Sequence, residues 1–278
     1  MLDRSLQNIF PGIPAHIGSI DITYKKQVDA NLVSTIINFI RSALDDLAIL
    51  GLNKVTVGLS GGVDSTVICA LLKEAVEQKA FAVIVDFEQG KDYSSDTKFS
   101  IEIAEKIGIN YRVVKAYELF YAHLAITRNN SLLTHLHLRS RLINNIIFQV
   151  ADNEMAAIID STDKSEKLLG RHAESFMGHV APIVDLYKSE LYDMLDYFAL
   201  GEVKKKESGC PELLDRDAFG VEWEVLDKVL YLLAYKNMPP EEIARKYNVD
   251  INWLQKLEKR IQKQHLRTET KQLLLGVR

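Results

Sequence analysis

Short apolar runs alternate with longer segments of helical periodicity through the first two thirds of the chain. The apolar runs lie at residues 55–59, 81–85, 111–114 and 156–159. Segments with apolar residues at helical spacing lie at 27–50, 64–78, 94–107 and 131–153, the last after an irregular stretch. Strands that are apolar on both faces and alternate with helices are typical of a parallel sheet covered on both sides. We therefore predict an α/β fold, an open parallel sheet with helices on both faces.

The rest of the chain is helical in pattern from about residue 186 onward. One of its helices is expected to begin after Pro182, with Asp185 as the N-cap. Residues 202–217 break the pattern with three consecutive lysines, a glycine and a proline, and are predicted to form a mobile surface loop. We expect a single domain, with a nucleotide-binding α/β core over about 27–185 and a helical part over 186–278.

Residues 58–65 read Gly-Leu-Ser-Gly-Gly-Val-Asp-Ser and join the first apolar run to the helix that follows it. The free N–H groups at a helix N-terminus bind anions, and Gly61 and Gly62 allow a phosphate to approach the backbone closely. The hydroxyl groups of Ser60 and Ser65 add further donors. This glycine-rich turn therefore predicts a site for the phosphates of a nucleotide.

Asp64 indicates a metal, because a carboxylate beside phosphates repels them unless a cation lies between. We expect Mg²⁺ here; the Lys-Ser/Thr pair of the Walker A motif is missing. Residues 86–90 and 160–166 follow other predicted strands and should share one cleft with the glycine-rich turn. The second metal-binding acid is expected within 160–166, since Mg²⁺ takes one or two protein carboxylates. Helix capping by the same polar side chains is the alternative.

Two cations occupy positions that need an explanation. Arg139 lies in the apolar stripe of its helix, where an arginine is costly unless an anion meets it. We expect it to reach ATP or an acidic substrate, with an internal salt bridge as the alternative. Lys188 falls in the first turn of its helix, where the helix dipole disfavours a cation. We interpret it as a phosphate ligand, with an exposed lysine as the alternative.

Composition narrows the choice of partners and compartment. A net charge of −4 over 278 residues gives no reason to expect a nucleic-acid partner. No apolar stretch reaches the roughly 18 residues that a membrane span needs, and the N-terminus lacks the pattern of a signal peptide. The two cysteines, Cys69 and Cys210, are too few for a disulfide framework or a zinc site. We expect a cytoplasmic protein in which Cys69 is a core residue.

The segment Ser60–Ser65 resembles the PP-loop of the ATP pyrophosphatases, which cleave ATP between its α and β phosphates. Three later segments, in the same order, extend the likeness to the ammonia-dependent NAD⁺ synthetase family. They are Leu-Arg-Ser-Arg at 138–141, Thr-Asp-Lys-Ser-Glu at 162–166 and Pro-Ile-Val-Asp-Leu-Tyr-Lys at 182–188. A weaker match covers 215–227. The resemblance runs from about residue 30 to 265.

This resemblance implies a set of roles. The residues it assigns to ATP are Gly58, Ser60, Gly61, Gly62, Asp64, Ser65, Arg139, Thr162 and Lys188. Asp64, Lys188 and Arg139 would be catalytic, while Asp64 and Glu166 would bind Mg²⁺. The implied reaction adenylates the carboxylate of deamido-NAD⁺, releases pyrophosphate and lets ammonia displace AMP. It also implies a homodimer.

The segments that would recognise the acyl substrate differ from the pattern of the NAD⁺ synthetase family. Between Gly170 and Pro182 the chain is shorter and Glu174 is the only acid, and 208–217 is altered. A related ligase acting on another carboxylate therefore remains an alternative. A tRNA-modifying PP-loop enzyme is less favoured, because this acidic chain lacks the extra cysteines or basic extensions of that class. Residues 239–254 resemble a helix-turn-helix, a weak indication of DNA binding. Ammonia would be free or come from a separate protein.

Overall fold

A computed structural model describes residues 10–128, 131–170, 178–207, 209–210 and 213–268. Its main sheet has four parallel strands in the order β3-β2-β1-β4. The strands are β1 (Lys54–Gly58), β2 (Ala80–Asp86), β3 (Asn110–Lys115) and β4 (Ala156–Ile158). The open parallel sheet expected from the alternating pattern is thereby confirmed.

Eleven α-helices lie within the described residues. They are α1 (Ala30–Ala48), α2 (Val63–Val76), α3 (Ser95–Ile107), α4 (Tyr117–Thr127), α5 (Leu132–Glu154), α6 (Lys164–Leu169), α7 (Lys188–Tyr197), α8 (Asp215–Phe219), α9 (Trp223–Leu230), α10 (Pro240–Tyr247) and α11 (Ile251–Thr268). A 3-10 turn, Gly201–Lys205, follows α7, and a π-helical turn, Tyr231–Tyr235, continues α9.

Helices cover both faces of the sheet, as expected. On one face α1, α2, α3 and α7 share an apolar cluster with the strands; Ile40, Ile68 and Leu191 are fully buried there. On the other face α5 packs over β1, β2 and β4. Most residues of α2 are buried because the helix lies between the sheet and other helices, and Cys69 is buried within it as predicted.

A second apolar core lies in the helical part of the chain and includes Trp253, Leu254 and Phe219. The indole N–H of Trp253 donates to the backbone carbonyls of Phe219 and Gly12, both at 2.9 Å. Helices α10 and α11 form the predicted helix pair, and its apolar side chains pack into this core. Among the described residues no helix is long and apolar enough to cross a membrane.

Three predictions about local structure are wrong. The stretch before α5 was expected to be irregular, but it holds α4, whose apolar residues lie on all sides and show no helical period. Asp185 does not cap α7: the helix begins at Lys188 after Tyr187, whose N–H binds the Glu190 carboxylate at 2.6 Å. Residues 202–217 are not a simple loop, since they contain the 3-10 turn, a short antiparallel hairpin and the start of α8.

The N-terminal segment is fixed to the helical part at Gly220, which follows α8 with a φ of 74°. A Cβ atom at Gly220 would lie 2.3 Å from the Cα of Ile13. We expect Gly220→Ala to lower the free energy of unfolding by about 1–2 kcal/mol for the left-handed backbone and about 1–3 kcal/mol for the clash. Gly90→Ala is the matched control, because Gly90 has a φ of 86° and open space around it. Urea denaturation of both variants should show the larger loss for Gly220→Ala; equal losses would contradict the tight contact.

Candidate active site

The glycine-rich turn joins the end of β1 to the start of α2. Gly61 adopts a φ of 71°, and a Cβ atom there would lie 3.0 Å from side-chain atoms of both Phe99 and Ser100. Gly62 has an extended backbone and immediately precedes the first helical residue, Val63. A residue with a side chain would strain the turn at Gly61. The N-terminal N–H groups of α2 are thereby presented at the carboxyl edge of the sheet.

Two serine hydroxyls brace this turn. The Ser65 Oγ accepts the N–H of Ser60 at 3.2 Å and lies 3.2 Å from the Ser60 Oγ. The Ser60 Oγ in turn accepts the N–H of Gly62 at 3.3 Å. Ser65 is buried, whereas Ser60 opens to the cleft. The predicted hydroxyl donors therefore shape the turn, and Ser60 is the one that faces a ligand.

A cleft of about 750 Å³ opens at the carboxyl edge of the sheet. It is lined by the glycine-rich turn, by the loop after β2, and by parts of α5, α6 and α7. The residues among these that carry polar groups or aromatic rings include Ser60, Asp64, Phe87, Glu88, His137, Arg139, Glu166 and Lys188. The predicted meeting of three strand ends in one cleft is present in the structure.

The ammonium group of Lys188 lies among three carboxylates. Its Nζ is 2.6 Å from Asp64 Oδ1, 2.9 Å from Asp163 Oδ2 and 3.2 Å from Glu166 Oε1. The side chain of Lys188 is only 3% exposed, and the ring centroid of Trp223 lies 5.3 Å from the ammonium. Burial of this kind is costly for a charge unless opposite charges compensate it. Lys188 is thus a buried site residue, which excludes the exposed-lysine alternative.

Burial and mutual charge shift the pKa values of this group. Burial alone would lower the pKa of Lys188, but the carboxylates of Asp163, Asp64 and Glu166 hold it well above its usual range. Burial raises the pKa of Asp163 well above its usual range; Glu166 and Asp64 add to this effect, and Lys188 opposes it. Lys188 therefore remains a cation in the cleft, with a surplus of negative charge around it.

Asp163 is a site residue that the sequence analysis did not single out. Its side chain is fully buried and caps α6 by accepting the N–H of Glu166 at 2.7 Å. Helix capping was the alternative for the acids of 160–166, and Asp163 both caps α6 and meets Lys188. Two features of the sequence could have indicated Asp163: it directly precedes a helix, and it lies in the segment 162–166 that resembles the family pattern.

The oxygen atoms of Asp64, Asp163 and Glu166 fit a hard divalent cation. One carboxylate oxygen from each residue lies within 4.8 Å of the others. Carboxylate oxygens are the protein ligands that Mg²⁺ prefers. The two predicted metal ligands, Asp64 and Glu166, are therefore brought together, with Asp163 as a third oxygen donor beside them.

Arg139 lies in the wall of the cleft, on α5. Its guanidinium is 5.1 Å from the ring centroid of Phe87 and 5.9 Å from that of Phe120. The stripe that contains it runs from buried positions such as Ile146 and Val150 toward residues that line the cleft. Cation–π contacts with these two rings help to hold the guanidinium in the wall of the cleft.

Four of the predicted ATP ligands, Gly61, Ser65, Gly58 and Thr162, do not line the cleft. Gly58 ends β1, where a Cβ atom would be 2.6 Å from Ile147 Cδ1, so its small size serves the packing of α5 on the sheet. Thr162 precedes α6 and donates its N–H to Asp160 at 2.8 Å. Their contacts with ATP stay predictions. Residues 171–177, which include Glu174, lie outside the described residues.

Lys206 is a second site residue that the sequence analysis missed. Its Nζ donates to the backbone carbonyl of Ser60 at 2.7 Å and forms an ion pair with Asp96 at 3.2 Å. It comes from the lysine run that was interpreted as part of a surface loop. The contact joins residues 146 positions apart, which no local pattern could indicate.

The sheet order, the turn and the buried charges define a PP-loop nucleotide-binding fold. Residues 32–270 match the family described as NAD synthase. The chain belongs to this family.

Curated relatives agree with this assignment along most of their length. An NH3-dependent NAD⁺ synthetase of Pyrococcus horikoshii is 29% identical over 242 residues, which cover 84% of this chain and 89% of the relative. One of Staphylothermus marinus is 27% identical over 247 residues, covering 86% and 87%.

Solved structures share the fold. An NH3-dependent NAD synthetase from Campylobacter jejuni has a TM-score of 0.73 at 20% identity, covering 90% of this chain and 100% of its own. An NMN synthetase from Francisella tularensis has a TM-score of 0.74 at 17% identity, covering 90% and 99%.

The buried lysine makes a prediction about stability. We expect Lys188→Met to lower the free energy of unfolding by about 3–5 kcal/mol, because it leaves buried carboxylates uncompensated. Adding Asp163→Asn to that variant should restore part of the loss by removing one of these charges. Urea denaturation without divalent cations measures both effects. If the two substitutions destabilise additively, the charge argument is wrong.

Proposed function

We propose that the chain is an ATP-dependent ligase that amidates deamido-NAD⁺ with ammonia to give NAD⁺. The observation that carries this is the position of Lys188, Asp64 and Glu166 beside the glycine-rich turn. This arrangement puts a cation and a set of metal-binding oxygens where the phosphates of ATP would lie. The names of the curated relatives supply the acyl substrate and the source of nitrogen. The whole chain would act as one ligase domain.

In the proposed reaction, a carboxylate oxygen of the substrate forms a bond to the α-phosphorus of ATP, and the bond from that phosphorus to the bridging oxygen breaks. Pyrophosphate leaves with the bonding electrons. Ammonia then attacks the acyl carbon, AMP leaves, and the nitrogen loses a proton to the solvent. No protein nucleophile is needed, so the residues contribute binding, orientation and charge.

Named groups in the cleft are suited to these contributions. The N-terminal N–H groups of α2 and the Ser60 hydroxyl would hold the leaving pyrophosphate. The Lys188 ammonium would stabilise charge that develops on the phosphates, since it stays protonated in this surrounding. Arg139 would meet ATP or the acidic substrate from the part of the cleft wall that α5 forms.

Asp64 and Glu166 would hold Mg²⁺, and Asp163 lies close enough to contribute a third oxygen. When bound, the ion would neutralise charge on the phosphate oxygens of ATP. The protein supports this by bringing the three acids together around one point, with Asp163 fully buried, and by keeping Lys188 next to them.

Pyrophosphate release tests the proposal. With ATP, Mg²⁺, ammonium and deamido-NAD⁺ the protein should release pyrophosphate and form NAD⁺, and Asp64→Asn should lower the rate by about 100-fold or more. Asp45→Asn, an exposed acid on α1, is the control and should leave the rate unchanged. A panel of other acids, including nicotinate mononucleotide, identifies a different substrate. Absence of release with deamido-NAD⁺ from folded protein would refute the substrate assignment.

We also propose that the protein is a homodimer of the cytoplasm. The support is one face of α4 on which Leu119 and Ile126, two helical turns apart, are 41% and 79% exposed. Cys69, a buried free thiol, suits a reducing compartment.

Placing a charge on this face should separate the subunits. We expect Ile126→Asp to be a monomer in sedimentation, because an unpaired carboxylate would be buried in the contact. Ile49→Asp is the matched control: Ile49 is 86% exposed, at the end of α1, and its variant should stay dimeric. A dimeric Ile126→Asp would exclude α4 from the interface.

A further inference from the structure

A buried carboxylate outside the cleft connects the two helices that carry Glu166 and Lys188. Asp227 lies on α9 and its side chain is fully buried. Its Oδ1 accepts a hydrogen bond from the Ser165 hydroxyl at 2.6 Å, and its Oδ2 accepts one from the N–H of Ser189 at 2.8 Å. Ser165 directly precedes Glu166 in α6, and Ser189 directly follows Lys188 in α7. One carboxylate thus contacts a neighbour of each site residue.

The Ser165 hydroxyl extends this connection to Lys188 itself. It donates its proton to Asp227 and accepts the backbone N–H of Lys188 at 2.9 Å. A hydroxyl can do both, since it has one proton and two lone pairs. Ser165 is fully buried, so water does not replace either partner. Asp227 therefore orients the oxygen that holds the Lys188 backbone.

The same contacts complete the N-terminus of α7. The first N–H groups of a helix have no partner within the helix. Those of Tyr187, Lys188 and Ser189 bind Glu190, Ser165 and Asp227 respectively. Only the first of these acceptors belongs to α7. The orientation of the first turn of α7 is consequently set by hydrogen bonds to α6 and α9.

Asp227 carries charge at neutral pH despite its burial. Burial raises its pKa to about 6, and the hydrogen bonds from Ser165 and Ser189 oppose the rise. A carboxylate also interacts favourably with the positive end of the α7 dipole. An amide of the same shape would lose this charge and half of the acceptor capacity.

We infer that Asp227 is a positioning residue for the ligase site. It holds α6 and α7 in the relation that directs the Glu166 carboxylate and the Lys188 ammonium to the same point. Asp227 does not itself line the cleft, so its effect passes through Ser165 and Ser189. The inference rests on the proposed function only in assigning the phosphates of ATP to that point.

Binding of Mg²⁺–ATP, measured by calorimetry without acyl substrate, tests the inference. Asp227→Asn and Ser165→Ala should each weaken binding by about 10- to 100-fold. This range is typical of residues that orient the ligating residues through hydrogen bonds. The double variant should lose less than the product of the two single losses, because both substitutions interrupt one network. Ser165→Ala keeps the Asp227 carboxylate, so this variant alone tests the inference if Asp227→Asn does not fold.

Asp250→Asn is the matched control. Asp250 is also a helix-capping carboxylate; it accepts the N–H groups of Asn252 and Ala15 at 2.9 and 2.8 Å and does not line the cleft. Its variant should lose stability in urea yet bind Mg²⁺–ATP within about twofold of the wild type. A merely structural role for Asp227 would give both capping variants this behaviour.

The outcomes separate the inference from the proposed function. Wild-type affinity for Mg²⁺–ATP in folded Asp227→Asn and Ser165→Ala would overturn the positioning role alone. Failure of the wild type to release pyrophosphate with deamido-NAD⁺ would overturn the substrate assignment alone, since ATP binding needs no acyl group. A wild-type protein that binds no Mg²⁺–ATP would overturn both.

Discussion

The burial of the Lys188 ammonium among Asp64, Asp163 and Glu166 is the interaction on which the site depends. An ammonium that is 3% exposed would lose its proton or disrupt the fold without close anions. Three carboxylates this close together would repel one another without a cation. The ammonium and the carboxylates therefore compensate one another's charge, and their ion pairs offset the free energy that desolvation costs. Ionic contacts of this kind suit the proposed binding of phosphates and a divalent ion, because they can be exchanged without breaking a covalent bond.

Parallel strand order brings these charges together. Asp64 follows β1, and Asp163 and Glu166 follow β4, which pairs directly with β1 in the sheet. The chain then returns along the edge, where Ile159 and Val180 form an isolated parallel bridge, before α7 begins with Lys188. Residues about 100 positions apart in sequence thus meet at one edge of the sheet. Ligands in open parallel sheets bind at this edge for the same reason.

The parts of the site that follow from local sequence were predictable, and those that depend on distant packing were not. The glycine-rich turn was predictable because phosphate binding at a helix N-terminus needs only a strand, a turn and a helix in succession. Arg139 was predictable because a charged side chain falls within the apolar stripe of its own helix. Asp163 was missed because a carboxylate before a helix is first of all a cap. Lys206 was missed because a lysine in a polar run has no local feature that distinguishes it from a solvated one. Helix α4 was missed because apolar residues around its whole circumference hide the helical period.

The same distinction explains why the helical part of the chain is more than an attachment to the nucleotide-binding core. Trp223 and Asp227 both lie on α9, one beneath the Lys188 ammonium and the other behind its backbone. The apolar face of α9 is buried in the second core, with Leu226 and Leu230. Packing of α9 in the second core therefore helps to fix the position and direction of Lys188, the residue proposed to contact the phosphates of ATP. A helix dipole alone would disfavour a cation at the start of α7. The carboxylates in front of Lys188 and the carboxylate of Asp227 behind it reverse that preference, and this requires both cores to be formed.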